Sequence, residues 1–167
     1  PFFNYYLPYS YTPETLPFYN TKTPYTELGY WGTLFANKKM EESNIKFLTT
    51  QNFTPSLNFN FLFVRYGGAG MLENENTNNR TVAITGNYLG KRYVAQGGFI
   101  YNRIKRDENG GVSDPSMVLD TLLDAKVIPI ALKMAHNDLK RRTFFLTHSY
   151  GIPFEFLQPK DSLGNAS

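Results

Sequence analysis

The sequence offers two histidines and no cysteine from which a catalytic group or a metal site could be built. His148 shares its parity with Phe144, Leu146 and Tyr150, so a strand would place it on an apolar side. A histidine in such a setting is more often packed or interfacial than a general base or a metal ligand. We therefore predict no catalytic residues, no metal ligands and no cofactor, and we expect that the protein is not an enzyme.

Two other kinds of segment resemble ligand-binding loops only superficially. The acidic pairs at residues 73–75 and 107–108 lack the ligand spacing of a dedicated calcium loop. The glycine-rich segment 67–70 follows a predicted strand, but it lacks the Lys-Ser/Thr pair and the helix that phosphate binding requires. We interpret these segments as solvated loops and turns.

Basic residues recur where predicted strands meet long loops, in the cluster Lys140-Arg141-Arg142 and at Arg65, Arg103 and Arg106. The candidate rim cations among them are Arg65, Arg103, Arg141 and Arg142. Long cationic side chains at the edge of an apolar belt extend toward water or lipid headgroups, which is the interpretation we favour. The alternative is a ring of cations that biases a pore toward anions. The basic residues are scattered, and the pI of about 9.0 reflects only 17 basic against 14 acidic residues, so we expect no nucleic-acid partner.

The elements that would position these groups are predicted to be strands. Segments with strand character lie at about residues 25–35, 45–53, 57–66, 81–90, 92–104 and 141–150. The third is the clearest, because an aromatic-rich side alternates with an amide side that begins with Asn58 and Asn60. Its apolar side consists of Leu57, Phe59, Phe61 and Phe63.

The same parity in the other strands predicts one polar face for the whole sheet. Its candidate lumen-facing residues are Lys46, Thr50, Asn52, Asn58, Asn60, Thr81, Thr85, Asn87, Gln96, Asn102 and Thr143. Most of these side chains are neutral amides and hydroxyls, which attract no ion strongly. Such a wall would suit a weakly selective aqueous channel for small polar solutes.

Tight and long connections alternate along the chain. The turns at residues 54–56 and 89–92 are short, whereas the connections at 67–80 and 105–140 are long and polar. An antiparallel meander of this kind is typical of an outer-membrane barrel, with short periplasmic turns and long external loops. A soluble sandwich could produce the same series by chance.

The longest loop is predicted to contain a short helix, within about residues 114–139. Asp114 and Pro115 form a start signal, and Val118, Leu119, Leu122 and Leu123 recur at helical spacing. Pro129 interrupts the pattern, after which residues 130–139 could add a turn or two. We expect this helix to pack on the rim or to fold over the lumen.

Residues 1–24 are predicted to form an extended arm that precedes the barrel portion, residues 25–158. The arm holds five of the 10 prolines and eight aromatic residues, and proline at that density prevents a regular strand ladder. We expect the arm to pack on its own domain, with binding to a partner or plugging of a lumen as the alternative. Residues 159–167 are interpreted as a polar tail or loop.

Composition indicates how such a chain could meet a membrane. The longest wholly apolar run, residues 127–132, is far shorter than the ~20 residues that a spanning helix needs. Any crossing would therefore use strands. The 14 Phe and 12 Tyr are typical of all-β proteins that place aromatic rings at an interface.

Several short strings resemble the putative porin family of Bacteroidetes, over about residues 18–154. They are Tyr19-Asn20-Thr21-Lys22-Thr23-Pro24-Tyr25-Thr26, Thr50-Gln51-Asn52-Phe53, Asn109-Gly110-Gly111 and Leu139-Lys140-Arg141-Arg142-Thr143. The resemblance implies an antiparallel transmembrane β-barrel in the outer membrane of a Gram-negative bacterium, with passive transport as its role. It implies outer-membrane lipid as a partner, with other outer-membrane proteins as further candidates. No site residues follow from it.

Three hypotheses are therefore open. The first is a porin, the second is a structural or docking barrel within a larger outer-membrane complex, and the third is a soluble surface β-sandwich that binds glycans through tyrosines and Trp31. Six strands, or seven with a short one near residues 152–157, fall below the eight that a single-chain barrel needs. We expect the sequence to be part of a longer protein with a larger barrel.

Overall fold

A computed structural model describes residues 8–33, 41–119 and 124–153. Within them the chain is all-β, with six antiparallel strands in one sheet, each paired with the next in sequence. The strands are β1 (Tyr25–Gly32), β2 (Glu42–Thr54), β3 (Leu57–Gly68), β4 (Thr77–Leu89), β5 (Tyr93–Glu108) and β6 (Ala135–Tyr150). The sheet does not close into a barrel, because β1 and β6 each pair with only one described strand.

All six predicted strands are present, and most are longer than the sequence indicated. The register between β5 and β6 runs from Tyr93 opposite Tyr150 to Glu108 opposite Ala135. The end of β5 and the start of β6 fall in the stretch that the sequence predicts as a long loop with a helix, but the backbone ladder continues through them. Residues 34–35 of the first predicted strand, most of the possible seventh strand and the tail 159–167 lie outside the described residues.

The prediction of a helix within residues 114–139 is wrong for most of that range. Two short 3-10 helices, Pro115–Leu119 and Ala125–Val127, flank residues 120–123, which lie outside the described part. Ile130 bridges to Val112, and β6 begins at Ala135, so His136 lies on a strand. Local apolar spacing favours a helix up to residue 139. The pairing of the 16 residues Ala135–Tyr150 with β5 makes the end of that range part of a strand instead. Among the described residues, no helix is both long and apolar enough to cross a membrane.

The two ends of the sheet differ in their connections. At the tight-turn end, β2 joins β3 and β4 joins β5 through short turns. At the long-loop end, residues 69–76 join β3 to β4 and residues 109–134 join β5 to β6. The predicted alternation of short and long connections is therefore present.

One face of the sheet, which we call the arm face, is covered by residues 8–24. Leu16 is buried there against Leu48, Leu62 and Ile100, and the Phe18 ring meets Phe145 edge-to-face at 6.2 Å between centroids. The arm runs from the long-loop end toward the tight-turn end, where the backbone N–H of Thr21 donates to Asn52 Oδ1 at 3.1 Å. Residues 8–24 thus pack on their own sheet.

The opposite face, which we call the open face, carries the aromatic side of β3. Leu57, Phe61 and Phe63 are half-buried by their neighbours, and Phe59 is exposed. No described segment covers this face. The β-sandwich hypothesis needs a second sheet over these side chains, and the described residues form a single sheet.

Candidate functional site

All eleven candidate lumen-facing residues lie on the arm face. The strand register aligns Thr50, Asn60 and Thr85 in one cross-strand row. Neighbouring rows contain the others: Asn52, Asn58, Asn87 and Gln96 in one, Lys46, Thr81 and Asn102 in another, and Thr143 opposite Ile100. Seven of the eleven are buried, which period-2 parity alone did not indicate.

Several of these polar side chains are linked by a network of side-chain hydrogen bonds. Asn58 Nδ2 donates to Thr50 Oγ1 at 3.0 Å and to Asn52 Oδ1 at 2.7 Å. Asn52 Nδ2 in turn donates to Asn20 Oδ1 of the arm at 2.7 Å. Because a buried polar group without a partner is costly, this pairing is what allows an amide-rich face to be covered.

Asn102 holds the backbone of the arm in the manner of a neighbouring strand. Its Oδ1 accepts from the backbone N–H of Tyr11 at 3.1 Å, and its Nδ2 donates to the Tyr11 carbonyl at 2.8 Å. The Thr81 hydroxyl also donates to Asn102 Oδ1, at 2.8 Å. Burial raises the pKa of the Tyr11 phenol, with Tyr66 adding to the effect and Lys46 opposing it.

An apolar strip, which the sequence pattern did not indicate, crosses the arm face. The strip consists of Leu48, Leu62, Val64, Ala83 and Ile100, and Leu16 lies on it. These residues have the same parity as the buried amides, so the signal was visible in the sequence but masked by the neighbouring polar residues. The arm face is therefore a polar surface divided by an apolar contact for the arm.

The four candidate rim cations separate between the two faces. By register, Arg65, Arg103 and Arg142 lie on the open face and Arg141 lies on the arm face. Arg103 makes a two-pronged ion pair with Asp138, with Nε to Oδ1 at 2.9 Å and Nη2 to Oδ2 at 2.7 Å. Three of the four therefore point away from the face where a ring of pore cations would lie.

Register places Arg80 and Lys140 beside two of these cations, in a row across the open face. Arg65 lies opposite Arg80, Arg80 opposite Arg103, and Arg103 opposite Lys140. Arg80 was not among the predicted cations, because only the pairing of β3 with β4 shows that it joins them. We call Arg65, Arg80, Arg103 and Lys140 the cation row.

Large apolar side chains are exposed over most of the open face below the cation row. Leu28, Phe144 and Leu146 are 74%, 79% and 76% exposed. These side chains form what we call the apolar band, which ends in tyrosines toward the tight-turn end. Among them, Tyr93 packs near Tyr88 and His148. His148 thus lies among aromatic rings on the open face, and no group of three or more His, Asp or Glu that could hold a metal is present in the described residues.

A cavity of about 820 Å³ lies beside the arm at the long-loop end, and the pattern of the sequence does not indicate it. Four of its lining residues, Trp31, Asn44, Tyr66 and Asn79, form one cross-strand row on the arm face. The Trp31 and Tyr66 rings approach edge-to-face, 6.0 Å apart at an angle of 61°. Register is needed to see this row, because its members come from four different strands.

Comparison with known proteins gives one match. Neither the curated proteins nor the solved structures contain a match to this chain. The family model described as "Putative porin" matches residues 1–166. An all-β antiparallel meander agrees with that match, and the chain belongs to the Putative porin family.

Proposed function

We propose that this protein is a porin-like β-barrel of the bacterial outer membrane that permits passive diffusion of small polar solutes. In this arrangement the arm face, partly covered by residues 8–24, borders an aqueous lumen and the open face contacts lipid. The observation that carries the proposal is the exposure of large apolar side chains over the open face, together with the hydrogen-bonded polar residues of the arm face. A water-soluble protein rarely exposes so continuous an apolar patch.

The height of the apolar band supports contact with a bilayer. Along β3 the band runs from Leu57 to Phe63 and ends at Arg65, in the cation row. At ~3.3 Å per residue, the distance from Leu57 to the cation row at Arg65 is ~26 Å along the strand, or ~20 Å along the membrane normal for a tilt of ~40°. Outer-membrane barrels carry an apolar band of about 25 Å.

The residues at the two borders of the band support the same orientation. Tyr88, Tyr93 and Tyr150 lie near the tight-turn end, and the cation row lies toward the long-loop end. Tyrosines are enriched at membrane interfaces, and arginine or lysine side chains at the border can reach headgroups while their stems stay in the apolar region. The long-loop end would then face outside the cell.

The chemistry of the arm face suits weak selectivity. Lys46 Nζ pairs with Glu27 Oε1 at 2.8 Å, so this cation is locally neutralised. The remaining candidate wall is amide and hydroxyl, with Arg141 as a further cation. We propose no catalytic activity and no cofactor for this protein.

A lipid-embedded sheet needs both of its edges paired, since unpaired backbone groups in hydrocarbon are costly. The proposal therefore entails further strands on the free edges of β1 and β6, from the same polypeptide or from another copy. The docking hypothesis was motivated by an aromatic arm available to a partner. Residues 8–24 pack on their own sheet, so we do not propose that hypothesis as the main function.

Planar-bilayer recording tests the proposal. The full-length protein, purified in detergent and added to a bilayer, should give stepwise conductance with a low preference between anions and cations. A preparation of the same protein denatured before addition is the control. A folded, detergent-stable protein that never conducts would contradict a diffusion role.

A further inference from the structure

The row Trp31, Asn44, Tyr66 and Asn79 alternates ring and amide across four adjacent strands. All four line the 820 Å³ cavity at the long-loop end. Cavities of about 300–1,000 Å³ lined by rings and a few polar groups are typical small-molecule sites. The exposed fractions of Trp31 and Tyr66, 44% and 37%, leave ring surface available to a ligand.

The arm completes one wall of the cavity. Tyr9 lines it, and the guanidinium of Arg106 lies over the Tyr9 ring, 4.5 Å from the centroid. On the opposite side the cavity meets Gly67 and Gly68, which present backbone without a side chain. The site is thus built from the sheet, the arm and the start of the loop between β3 and β4.

The cavity is acidic and contains one unpaired polar atom. Asn79 is 3% exposed, and its Oδ1 has no hydrogen-bond partner within the described residues. Glu42 and Glu75 also line the cavity, and none of its described lining residues is lysine, arginine or histidine. Because a buried acceptor without a donor is unfavourable, the cavity favours a ligand that brings hydroxyl donors and carries no negative charge.

A neutral saccharide has these properties. One side of its ring is made of C–H groups that can pack on an aromatic face, and its rim carries hydroxyl donors. We propose that this cavity binds a neutral saccharide, with the sugar ring against Trp31 and Tyr66 and its hydroxyls toward the amides of Asn44 and Asn79. The inference adds a solute class to the proposed porin function. Only the placement of the site in a channel mouth rests on that function.

A cationic ligand is the main competitor, since aromatic rings and carboxylates also attract ammonium groups. Glu42 Oε1 already accepts from Asn44 Nδ2 at 3.0 Å, and Glu75 Oε2 accepts from the backbone N–H of Leu72 at 3.0 Å. The group left without a partner is a neutral amide oxygen, which a hydroxyl suits. Choline therefore serves as a probe that should bind less well than a sugar.

Trp31 is the single tryptophan of this sequence, so its fluorescence reports on the cavity directly. Full-length protein in detergent should show a saturable change in emission with maltose or cellobiose, with a dissociation constant in the millimolar range or tighter. Glucose 6-phosphate and choline should bind at least about tenfold more weakly. If full-length protein carries other tryptophans, calorimetric titration replaces the optical signal.

Adjacent residues of opposite parity supply matched controls. Asn79→Ala should weaken disaccharide binding about fivefold or more, whereas Asn78→Ala, on the open face, should change it less than about twofold. Trp31→Ala should weaken it more than about tenfold by calorimetry, and Tyr30→Ala should not. Trp31→Phe keeps a ring beside Tyr66 and should retain most of the affinity.

Three outcomes overturn the inference. They are the absence of a saturable response to both disaccharides in folded protein, equal losses in Asn79→Ala and Asn78→Ala, and tighter binding of choline than of either sugar. Conductance without sugar binding would refute the inference and leave the porin function standing. Sugar binding by a protein that never conducts would support the site and refute the channel.

Discussion

The arm face and the open face belong to the same six strands, but polar side chains are buried on the first and apolar side chains are exposed on the second. On the arm face, buried asparagines and threonines bond to one another and to the arm. On the open face, Phe144 and Leu146 are more than three-quarters exposed. An ordinary soluble sheet buries its apolar side and exposes its polar one. Side chains in this sheet are therefore buried where the arm packs. Whether the open face contacts water or lipid is the question for experiment.

The largest loss of stability is expected from a charge placed on the open face. Phe144→Arg should lower the free energy of unfolding in lipid vesicles by ~2–4 kcal/mol, since a cation near the bilayer midplane is unfavourable. Denaturant titration of the vesicle-inserted protein measures it. Thr143→Arg, the neighbour on the arm face, should cost far less. If Phe144→Arg is neutral in vesicles, the open face does not contact hydrocarbon.

The next effect concerns the apolar contact between the arm and its face. Leu16→Ala should destabilise docking of the arm by ~2–3 kcal/mol, because it removes a side chain only 5% exposed. Hydrogen exchange of residues 8–24 should accelerate, while β3 and β4 stay protected. Glu14→Ala is the control, since Glu14 is exposed on the same arm. Equal exchange in both variants would contradict an arm held by Leu16.

A smaller effect should separate the donor and acceptor roles of Asn102. Asn102→Ala removes both bonds to the Tyr11 backbone and should cost ~1–3 kcal/mol of arm stability. Asn102→Asp keeps an acceptor for the Tyr11 N–H but loses the donor to the Tyr11 carbonyl, so we expect an intermediate loss. Native-state hydrogen exchange at Tyr11 compares the two variants. Identical protection in wild type and Asn102→Ala would contradict this anchoring.

The smallest expected effect is a pH dependence of the same contact. Burial raises the pKa of Tyr11 above its ordinary value of 10.0, so the folded state favours the neutral phenol. The stability from this group is complete below pH 10 and is lost as pH rises through the raised pKa. The protection factors of the arm amides, taken relative to hydroxide-catalysed exchange at the same pH, should therefore fall in alkali, and less so in Tyr11→Phe. The same alkaline response in both proteins would assign it to other tyrosines.

Period-2 alternation was sufficient to predict the six strands and to group the polar candidates on one face. Asn58 and Asn60 in β3, and Thr81 and Thr85 in β4, follow directly from side chains alternating across a strand. Alternation does not show what covers a face. The apolar strip at Leu62 and Ile100 became visible only when Leu16, from a distant part of the sequence, was found on it.

Register and loop conformation were beyond the sequence for different reasons. The cavity row depends on Trp31 lying opposite Asn44 and Tyr66 opposite Asn79, which requires knowing how strands are offset. Within residues 114–139, local spacing favoured a helix, but long-range pairing of Ala135–Tyr150 with β5 determined the outcome. The pairing partner of that stretch comes from outside it, so no local pattern contained the answer.

The pair of hydrogen bonds between the Asn102 side chain and the Tyr11 backbone has an evolutionary consequence. A carboxamide that grips a peptide unit by both its N–H and its carbonyl is indifferent to the side chain that the unit carries. A proline at position 11 would abolish this contact, because its ring nitrogen has no hydrogen to give. Other replacements would keep both hydrogen bonds and lose only the packing of the Tyr11 ring against the core.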